Sequence, residues 1–313
     1  MNILVTGADG QLGRCLKDVR EHDKLARKED VWFFANRHDI DIADKDCVTR
    51  YIENHGIGIV INCAAYTNVE KSETDVNAFR ANSLGPLYLA QALKPRGGIL
   101  IHISTDYVYR PFEGWNGAPF KEDEDCGTKG QLPLNSYGIT KLMGEMAVND
   151  NEGNYIIIRT SWLYSAYGNN FLKTVREKFL NAGIDETFRF VCDQVGTPTN
   201  AYNLASFIYS IVNKYSLRSI SILEYVKFKS DVINYSDDGV CSWYDFAMEI
   251  NDCLNKPNTI APCYSHEYQT NVKRPAYSVM SKEKIKTDER YLPYVNTVHW
   301  KQGVRNVMKR LEI

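Results

Sequence analysis

The chain has 313 residues, of which 44% are hydrophobic and 24% are charged, and its formal net charge is −2. This composition is that of an ordinary globular protein with room for one large core and a smaller second lobe, and it offers no basic excess that would indicate a nucleic-acid partner. No apolar run approaches the ~20 residues of a transmembrane helix, so we expect no membrane contact.

The eight cysteines and six histidines are scattered along the chain. No two cysteines form a C-x-x-C pair, and the histidines show no spacing typical of metal ligands, so we expect no bound metal. The first residues already have the pattern of a buried strand, which leaves no room for a secretory leader. Together these features predict a reduced chain in the cytoplasm.

Short apolar runs alternate with amphipathic stretches of helical length through the first half of the chain. Strands are predicted at residues 3–5, 31–35, 57–62, 99–103 and 155–159, and helices at residues 11–20, 45–54, 76–93 and 136–148. Asn135 is a candidate N-cap for the last of these helices. The alternation indicates a doubly wound α/β fold, in which helices cover both faces of a parallel sheet.

The pattern changes after Thr160. Helices are predicted at residues 171–180, 201–213 and 243–254 and strands at residues 188–192 and 232–235, whereas residues 217–230 show no clear pattern. We expect residues 1–162 and about 199–236 to form a dinucleotide-binding domain. Residues about 163–198 and 237–313 should form a smaller α/β substrate-binding lobe that is interleaved with it.

Gly7, Gly10 and Gly13 fall between the first strand and the first helix. Glycines at this turn let the backbone approach a pyrophosphate, and the helix N-terminus offers N–H groups and a partial positive charge. We therefore predict a Rossmann-type dinucleotide site that also includes Gln11 and Leu12. The alternative is a tight turn without a ligand.

Further cofactor contacts are expected after the second predicted strand. Arg37 stands where a basic residue accommodates the 2′-phosphate of NADPH and where an acid would bind the ribose of NADH. NADPH is therefore the predicted cofactor, and NADH stays possible if Arg37 is only an exposed loop cation. Asp41 and Ile42 are placed to touch the adenine.

Three residues with small side chains follow the third predicted strand: Cys63, Ala64 and Ala65. A strand end that passes beneath a cofactor needs such small residues. Core packing is the alternative for these positions and for Asp41 and Ile42, and for Cys63 alone it is the favoured interpretation.

Tyr137 and Lys141 lie four residues apart on a predicted helix and therefore point the same way. A phenol with a pKa of ~10 is a weak acid, and an adjacent ammonium is expected to lower that pKa and make the phenol a proton donor. Thr105 lies just beyond the C-terminal end of the fourth predicted strand, where its hydroxyl can bond a substrate carbonyl and the phenol together. The alternatives are a solvated helix face for the pair and a cap for Thr105.

Taken in this order, the glycine turn, the strand-end threonine and Tyr-x-x-x-Lys resemble the extended short-chain dehydrogenase/reductase superfamily. Further stretches resemble the dTDP-4-dehydrorhamnose reductases within it: residues 62–67, 104–109, 137–145, 159–164, 168–171, 193–199 and 274–278. The sequence departs from that family at residues 70–73 and at Met280 and Ser281. A magnesium ion described at the dimer contact of some members has no recognisable ligands here.

The resemblance implies NAD(P)H-dependent reduction of the C4 ketone of dTDP-6-deoxy-L-lyxo-4-hexulose, a dTDP-linked 4-keto-6-deoxy sugar, to dTDP-L-rhamnose. It makes Thr105, Tyr137 and Lys141 the catalytic residues, and it lets Tyr137 and Lys141 contact the cofactor as well. A homodimer is the expected assembly. The substrate contacts that the resemblance implies are Thr105, Asp106, Trp162, Asn170 and Arg274.

Two alternatives stay open. One is a different nucleotide-sugar enzyme on the same fold, either another 4-ketoreductase or an epimerase that keeps its NAD bound. The other is a non-catalytic subunit that resembles the regulatory subunit of methionine adenosyltransferase. The presence of Thr105, Tyr137 and Lys141 together argues against a purely structural role.

Overall fold

The computed structural model describes residues 1–24, 27–111, 115–123, 126, 132–183, 186–218, 230–254, 258–268 and 270–312. Most of the segment 217–230, which has no clear sequence pattern, lies outside this described part. Among the residues that the structure describes, no helix has both the length and the apolar character needed to cross a bilayer.

The strands follow the predicted order closely. In chain order they are β1 (Asn2–Thr6), β2 (Val31–Ala35), β3 (Ile59–Asn62), β4 (Ile99–Thr105), β5 (Asn154–Thr160), β6 (Leu163–Tyr164), β7 (Thr187–Val191), β8 (Val195–Gly196), β9 (Thr199–Asn200), β10 (Asp231–Asn234), β11 (Cys241–Ser242) and β12 (Thr259–Cys263). The predicted strands coincide with β1 to β5, β7 and β10. The short strands β6, β8, β9 and β11 and the longer strand β12 have no counterpart in the predictions.

The predicted helices are all present, with ends that differ by a few residues. The α-helices are α1 (Gln11–His22), α2 (Lys45–Asn54), α3 (Val76–Phe79), α4 (Gly85–Leu93), α5 (Ser136–Asp150), α6 (Phe171–Leu180), α7 (Ala201–Arg218), α8 (Trp243–Asp252), α9 (Glu283–Thr287) and α10 (Trp300–Leu311). The last two α-helices, α9 and α10, have no counterpart in the predictions. The predicted helix 76–93 is divided into α3 and α4 by the π turn Arg80–Leu84.

The central sheet has six parallel strands in the order β10-β5-β4-β3-β1-β2. The chain runs outward in both directions from β1 and β3, so the crevice at their carboxyl ends is the place where such sheets bind ligands. This arrangement confirms the predicted Rossmann-type fold, which is doubly wound around a parallel sheet.

Both faces of the sheet are covered, which is why its central strands are almost wholly apolar. Ile3 and Val5 pack on the face of the sheet that α1 and α7 cover. Leu16 of α1 and Phe207 of α7 belong to the same apolar cluster. Leu4 lies on the opposite face and packs toward α2 and α4. Alternate side chains of β1 thus belong to two separate layers of the core.

A second core lies outside the sheet. It joins β6, α6, α8 and α10 through Tyr164, Phe179, Phe246 and Trp300. Ile285 and Tyr291, from the C-terminal part of the chain, pack instead into the core of the sheet. The two parts are therefore interleaved in space, and the division at about residues 162, 199 and 236 stays a prediction.

Candidate active site

A cavity of about 710 Å³ opens at the carboxyl ends of β1, β3, β4 and β5. Its volume falls in the usual range of small-molecule sites, roughly 300–1,000 Å³. The predicted cofactor residues among its lining are Gly7, Gly10, Gln11, Leu12, Arg37, Asp41, Ile42, Cys63, Ala64, Ala65, Tyr137 and Lys141. The structure thus brings nearly the whole predicted set to one crevice.

The glycine turn forms one wall of the cavity. Gly7 has φ +63°, and a Cβ atom there would lie 2.7 Å from the backbone N of Ala64, so the position excludes a side chain. Gly10 precedes α1 as its N-cap and leaves the first N–H groups of the helix without a side-chain cap. Gly13 does not reach the cavity, because it packs inside α1 against Ala8.

Arg37, Asp41 and Ile42 line the cavity beyond β2. The Arg37 guanidinium lies 3.8 Å from the Asp41 carboxylate, and 78% of the Arg37 side chain is exposed. An exposed pair at this distance is weak, so the guanidinium can turn toward a phosphate at little cost. Ile42 is buried against the helix that begins at Gly85.

The floor of the cavity consists of the small residues after β3. Cys63, Ala64 and Ala65 all contribute to the lining. Burial raises the pKa of the Cys63 thiol, which therefore stays protonated and acts as a small apolar group.

Thr105, Tyr137 and Lys141 converge on the same cavity from two elements. Thr105 ends β4, whereas Tyr137 and Lys141 lie on α5, which begins after Asn135. The Asn135 side chain accepts a hydrogen bond from the Gly138 N–H over 2.9 Å, as expected of the predicted N-cap. A Cβ atom at Gly138 would lie 2.5 Å from the Tyr107 carbonyl, so this glycine lets α5 approach the end of β4 closely.

The protonation of Tyr137 differs from the expectation that the neighbouring lysine lowers its pKa. Burial raises the pKa of Tyr137 to about 12, although a hydrogen bond with the Thr105 hydroxyl lowers it. The expected direction was therefore wrong, because the loss of water around the phenol outweighs the effect of Thr105, and the Asp106 carboxylate raises the pKa further. The phenol is protonated at neutral pH, which is the form that a proton donor requires.

Lys141 is buried, and its ammonium donates a hydrogen bond to the Ile103 carbonyl over 2.6 Å. Burial lowers the pKa of Lys141 to about 8, against the opposing effect of the Glu145 carboxylate one turn away. Glu145 is itself buried and is held by Arg159, with the shortest separation at 2.7 Å, and by the Ser104 hydroxyl. This ion pair keeps a negative charge within reach of the lysine.

Asp106 and Trp162, two of the predicted substrate contacts, also line the cavity. Burial raises the pKa of Asp106 to about 7, and its Oδ2 atom has no hydrogen-bond partner among the described residues. Trp162 has φ +44°, a left-handed conformation that costs a non-glycine residue about 1–3 kcal/mol. Such strain clusters at functional sites.

Asn170 lines the cavity as well, but its side chain is engaged inside the protein. It caps α6 by accepting from the Lys173 N–H over 3.1 Å, and its amide donates to Gln11 Oε1 over 3.0 Å. The same amide group also donates hydrogen bonds to the backbone carbonyls of Ser165 and Tyr167. Asn170 thus ties the glycine-turn helix to the segment before α6, and direct contact with a ligand would have to replace one of these bonds.

Arg274 stands apart from the cavity lining. Its guanidinium lies 3.2 Å from the Glu70 carboxylate. Its positive charge also lowers the pKa of the nearby Tyr107, against the larger effect of burial, and the Tyr107 ring contacts that of Tyr137 edge to face at 5.6 Å. Arg274 is therefore connected to Tyr137 through a single aromatic side chain.

Comparison with known proteins yields a consistent match. A family model described as the RmlD substrate binding domain matches residues 1–313. The chain is 32% identical to a dTDP-4-dehydrorhamnose reductase from Aggregatibacter actinomycetemcomitans, over 97% of each chain. This chain belongs to the dTDP-4-dehydrorhamnose reductase family.

Solved structures of the reductase family have the same fold. A dTDP-4-dehydrorhamnose reductase from Clostridium acetobutylicum superposes with a TM-score of 0.84 at 32% identity and covers 100% of both chains. The reductase from Bacillus anthracis, solved in complex with NADP, superposes with a TM-score of 0.81 at 28% identity and covers 99% of both chains.

Several residues of the reductase cavity escaped the sequence analysis. They come from the segment that runs from the end of β3 into the π turn: Tyr66, Thr67, Asn77, Arg80 and Ala81. The buried Asn82 fixes this segment, since its side chain bonds both the N–H and the carbonyl of Tyr66. The helical spacing of Asn77, Arg80 and Ala81 was an available signal, but no local pattern in the sequence reveals the π turn that contains Arg80 and Ala81.

The cavity fits the dinucleotide that reductases of this family bind. At Gly7 a Cβ atom would fill the space beside Ala64, and at the start of α1 uncapped N–H groups face the turn. Two guanidinium groups, from Arg37 and Arg80, border the same cavity. Together these features provide donors and positive charge for phosphate groups.

Proposed function

We propose that this protein reduces the C4 ketone of dTDP-6-deoxy-L-lyxo-4-hexulose with NADPH and forms dTDP-L-rhamnose, the last step of dTDP-rhamnose biosynthesis. The observation that carries the proposal is the convergence of Thr105, Tyr137 and Lys141 on the cavity that the glycine turn lines. Membership of the reductase family supports the substrate class.

NADPH supplies the hydride for C4 when it is bound. The residues that we propose to hold it are Gly7, Gly10, Gln11, Leu12, Gly13, Arg37, Asp41, Ile42, Cys63, Ala64, Ala65, Tyr137 and Lys141. Gly13 contributes indirectly, by letting α1 pack closely against Ala8. NADH is an alternative donor, because Arg37 is exposed and its contact with a 2′-phosphate is not enforced by packing.

Tyr137 is the proposed proton donor to the C4 oxygen. Its pKa of about 12 keeps the proton on the phenol until the oxygen becomes an alkoxide, which is a stronger base than a phenolate. The Thr105 hydroxyl, which donates to Asp106 Oδ1 over 3.1 Å, can turn its proton from that carboxylate to the same substrate oxygen. Lys141 stabilises the phenolate that remains, provided that its ammonium is charged.

We assign the sugar nucleotide to the remaining part of the cavity. The Oδ2 atom of Asp106 can accept a hydrogen bond from a sugar hydroxyl, and the Trp162 indole offers an apolar wall. Asn170 and Arg274 are proposed contacts of the diphosphate. For Arg274 this requires the guanidinium to exchange the Glu70 carboxylate for a phosphate.

The decisive experiment measures NADPH oxidation by the purified protein with the dTDP-4-keto-6-deoxy sugar and identifies the product by NMR. We expect ketone-dependent oxidation and a product with the L-rhamno configuration. A different C4 configuration would indicate another 4-ketoreductase. Tightly bound NAD without net oxidation would indicate an epimerase, and no oxidation together with capture of methionine adenosyltransferase would indicate a regulatory subunit.

The proposal includes a homodimer in the cytoplasm. Met143 and Met146 lie on α5 and are 42% and 52% exposed, which supports an interface on this helix. Light scattering coupled to size-exclusion chromatography measures the assembly.

A further inference from the structure

The indole rings of Trp162 and Trp243 stack face to face. Their ring centroids are 3.5 Å apart and their planes differ by 4°. Trp162 borders the cavity, whereas Trp243 does not belong to its lining. Trp243 therefore contacts the back of a residue that the proposed function places against the sugar.

Trp162 needs such support because its backbone is strained. Its φ of +44° is disfavoured for any residue with a Cβ atom, and this conformation persists only where the surroundings impose it. The Thr199 N–H donates to the Trp162 carbonyl over 3.2 Å, and the preceding Ser161 hydroxyl donates to the Thr197 carbonyl over 2.6 Å. These bonds hold the backbone, but they do not orient the indole.

Gly196 provides a second contact for the Trp162 indole. A Cβ atom at Gly196 would lie 2.6 Å from Cε2 of Trp162, so the ring occupies space that any other residue would fill. Gly196 belongs to β8, which pairs with β11 through the partners Cys241 and Gly196. Since Trp243 follows β11 directly, this pairing places both contacts of the indole in one fixed unit.

Trp243 is itself held firmly. It is the first residue of α8, whose N-cap Ser242 accepts from the Asp245 N–H while the Asp245 carboxylate accepts from the Ser242 N–H. The Phe171 ring packs beside Trp243 at 4.7 Å. The stack thus connects the border of the cavity to the aromatic core of the second lobe.

We propose that Trp243 is a positioning residue, which holds the Trp162 indole as a rigid wall for the sugar nucleotide. The inference rests on the proposed function, since it takes the cavity beside Trp162 as the substrate site. Loss of the stack lets Trp162 leave its strained conformation, and the wall is then ordered only when substrate binds. Such a change weakens binding in the ground state and the transition state alike, so it raises KM more than it lowers kcat.

The test compares wild type with Trp243→Leu, Trp243→Phe and Gly196→Ala, and uses Trp32→Phe as a matched control. Trp32 also packs against an aromatic ring, that of Tyr209 at 5.5 Å, but it lies on β2 outside the cavity lining. We measure KM and kcat for the sugar nucleotide, KM for NADPH, and the exciton couplet that two stacked indoles give in far-ultraviolet circular dichroism.

We expect Trp243→Leu to abolish the couplet and to raise KM for the sugar nucleotide about tenfold, with kcat and KM for NADPH changed less than about threefold. Trp243→Phe should restore most of the affinity, because a ring remains against the indole. Gly196→Ala should raise the same KM, since its Cβ displaces the indole, and it keeps the test valid if Trp243→Leu fails to fold. Trp32→Phe should keep wild-type constants.

An unchanged KM for the sugar nucleotide in Trp243→Leu and Gly196→Ala, with the couplet lost, overturns the positioning role. Equal increases in both KM values overturn it too, because they indicate a general disturbance of the fold. These outcomes differ from failure of the proposed function, in which the wild-type protein itself neither binds nor reduces the sugar nucleotide. That result would overturn both proposals.

Discussion

The Nζ atom of Lys141 donates a hydrogen bond to the backbone carbonyl of Ile103 over 2.6 Å. This bond joins α5 to β4 two residues before Thr105, so the sheet fixes the position of the ammonium relative to the threonine. Tyr137 lies one turn earlier on the same helix. Because the three groups stand on two rigid elements, each can be removed by substitution while the other two stay in place.

Tyr137→Phe should lower kcat for ketone reduction by ~10²–10⁴-fold, the usual contribution of a general acid. The aromatic body remains, so the dissociation constant for NADPH should stay within about threefold of wild type. Steady-state kinetics and a fluorescence titration with NADPH measure the two quantities.

Tyr155→Phe is the matched control for that substitution. Its hydroxyl donates to Asn149 over 2.6 Å and lies outside the cavity lining, so kcat should not change. If Tyr137→Phe retained wild-type kcat, Tyr137 would not be the proton donor.

The pH dependence of kcat should have an alkaline limb near pH 8. Burial lowers the pKa of Lys141 to about 8, so the ammonium is charged below that pH and is lost as the pH rises through it. Tyr137, with a pKa of about 12, cannot produce this limb. A kcat profile measured across neutral and alkaline pH tests the assignment.

Glu145→Gln distinguishes Lys141 from other groups that titrate in this range. The Glu145 carboxylate raises the pKa of Lys141 against the effect of burial, so its removal should move the alkaline limb to lower pH. A limb that stays at the same pH in this variant would assign the titration to another group.

Arg37→Ala should raise KM for NADPH about tenfold and leave KM for NADH nearly unchanged, because only NADPH carries the 2′-phosphate. The control is Arg50→Ala. Arg50 is also an exposed cation, but it lies on α2 and outside the cavity lining. Equal effects of Arg37→Ala on the two cofactors would remove the basis for the proposed preference.

Arg159→Leu should lower the free energy of unfolding by about 3–5 kcal/mol, since it leaves the buried Glu145 carboxylate without its partner. The double variant with Glu145→Leu should lose less than the sum of the two single variants. Urea denaturation measures the free energy of unfolding of the two single variants and the double variant.

The exposed pair Arg189–Glu267 is the control for the buried one, with N and O 2.6 Å apart. Arg189→Leu should have only a small effect on stability, because water replaces the lost contact. Comparable losses for Arg159→Leu and Arg189→Leu would show that burial does not decide the strength of these pairs.

The amino-acid sequence by itself determined the strands and helices of the central sheet and the residues that we propose for catalysis. Apolar runs, the glycines at residues 7–13 and the Asn135 cap are local signals, and helical periodicity alone places Tyr137 and Lys141 on one face. Local signals of this kind do not depend on what lies across the fold. The predicted elements therefore agree with the observed ones to within a few residues.

Only the tertiary structure decided how the site is tuned and supported. The pKa of Tyr137 rises because distant segments remove its water, and the amide of Asn170 is engaged by residues on other elements. The π turn that brings Arg80 to the cavity and the stack of Trp243 on Trp162 follow from packing between segments far apart in the chain. Desolvation and packing depend on the atoms that surround a group in space, and no local pattern in the sequence specifies those atoms.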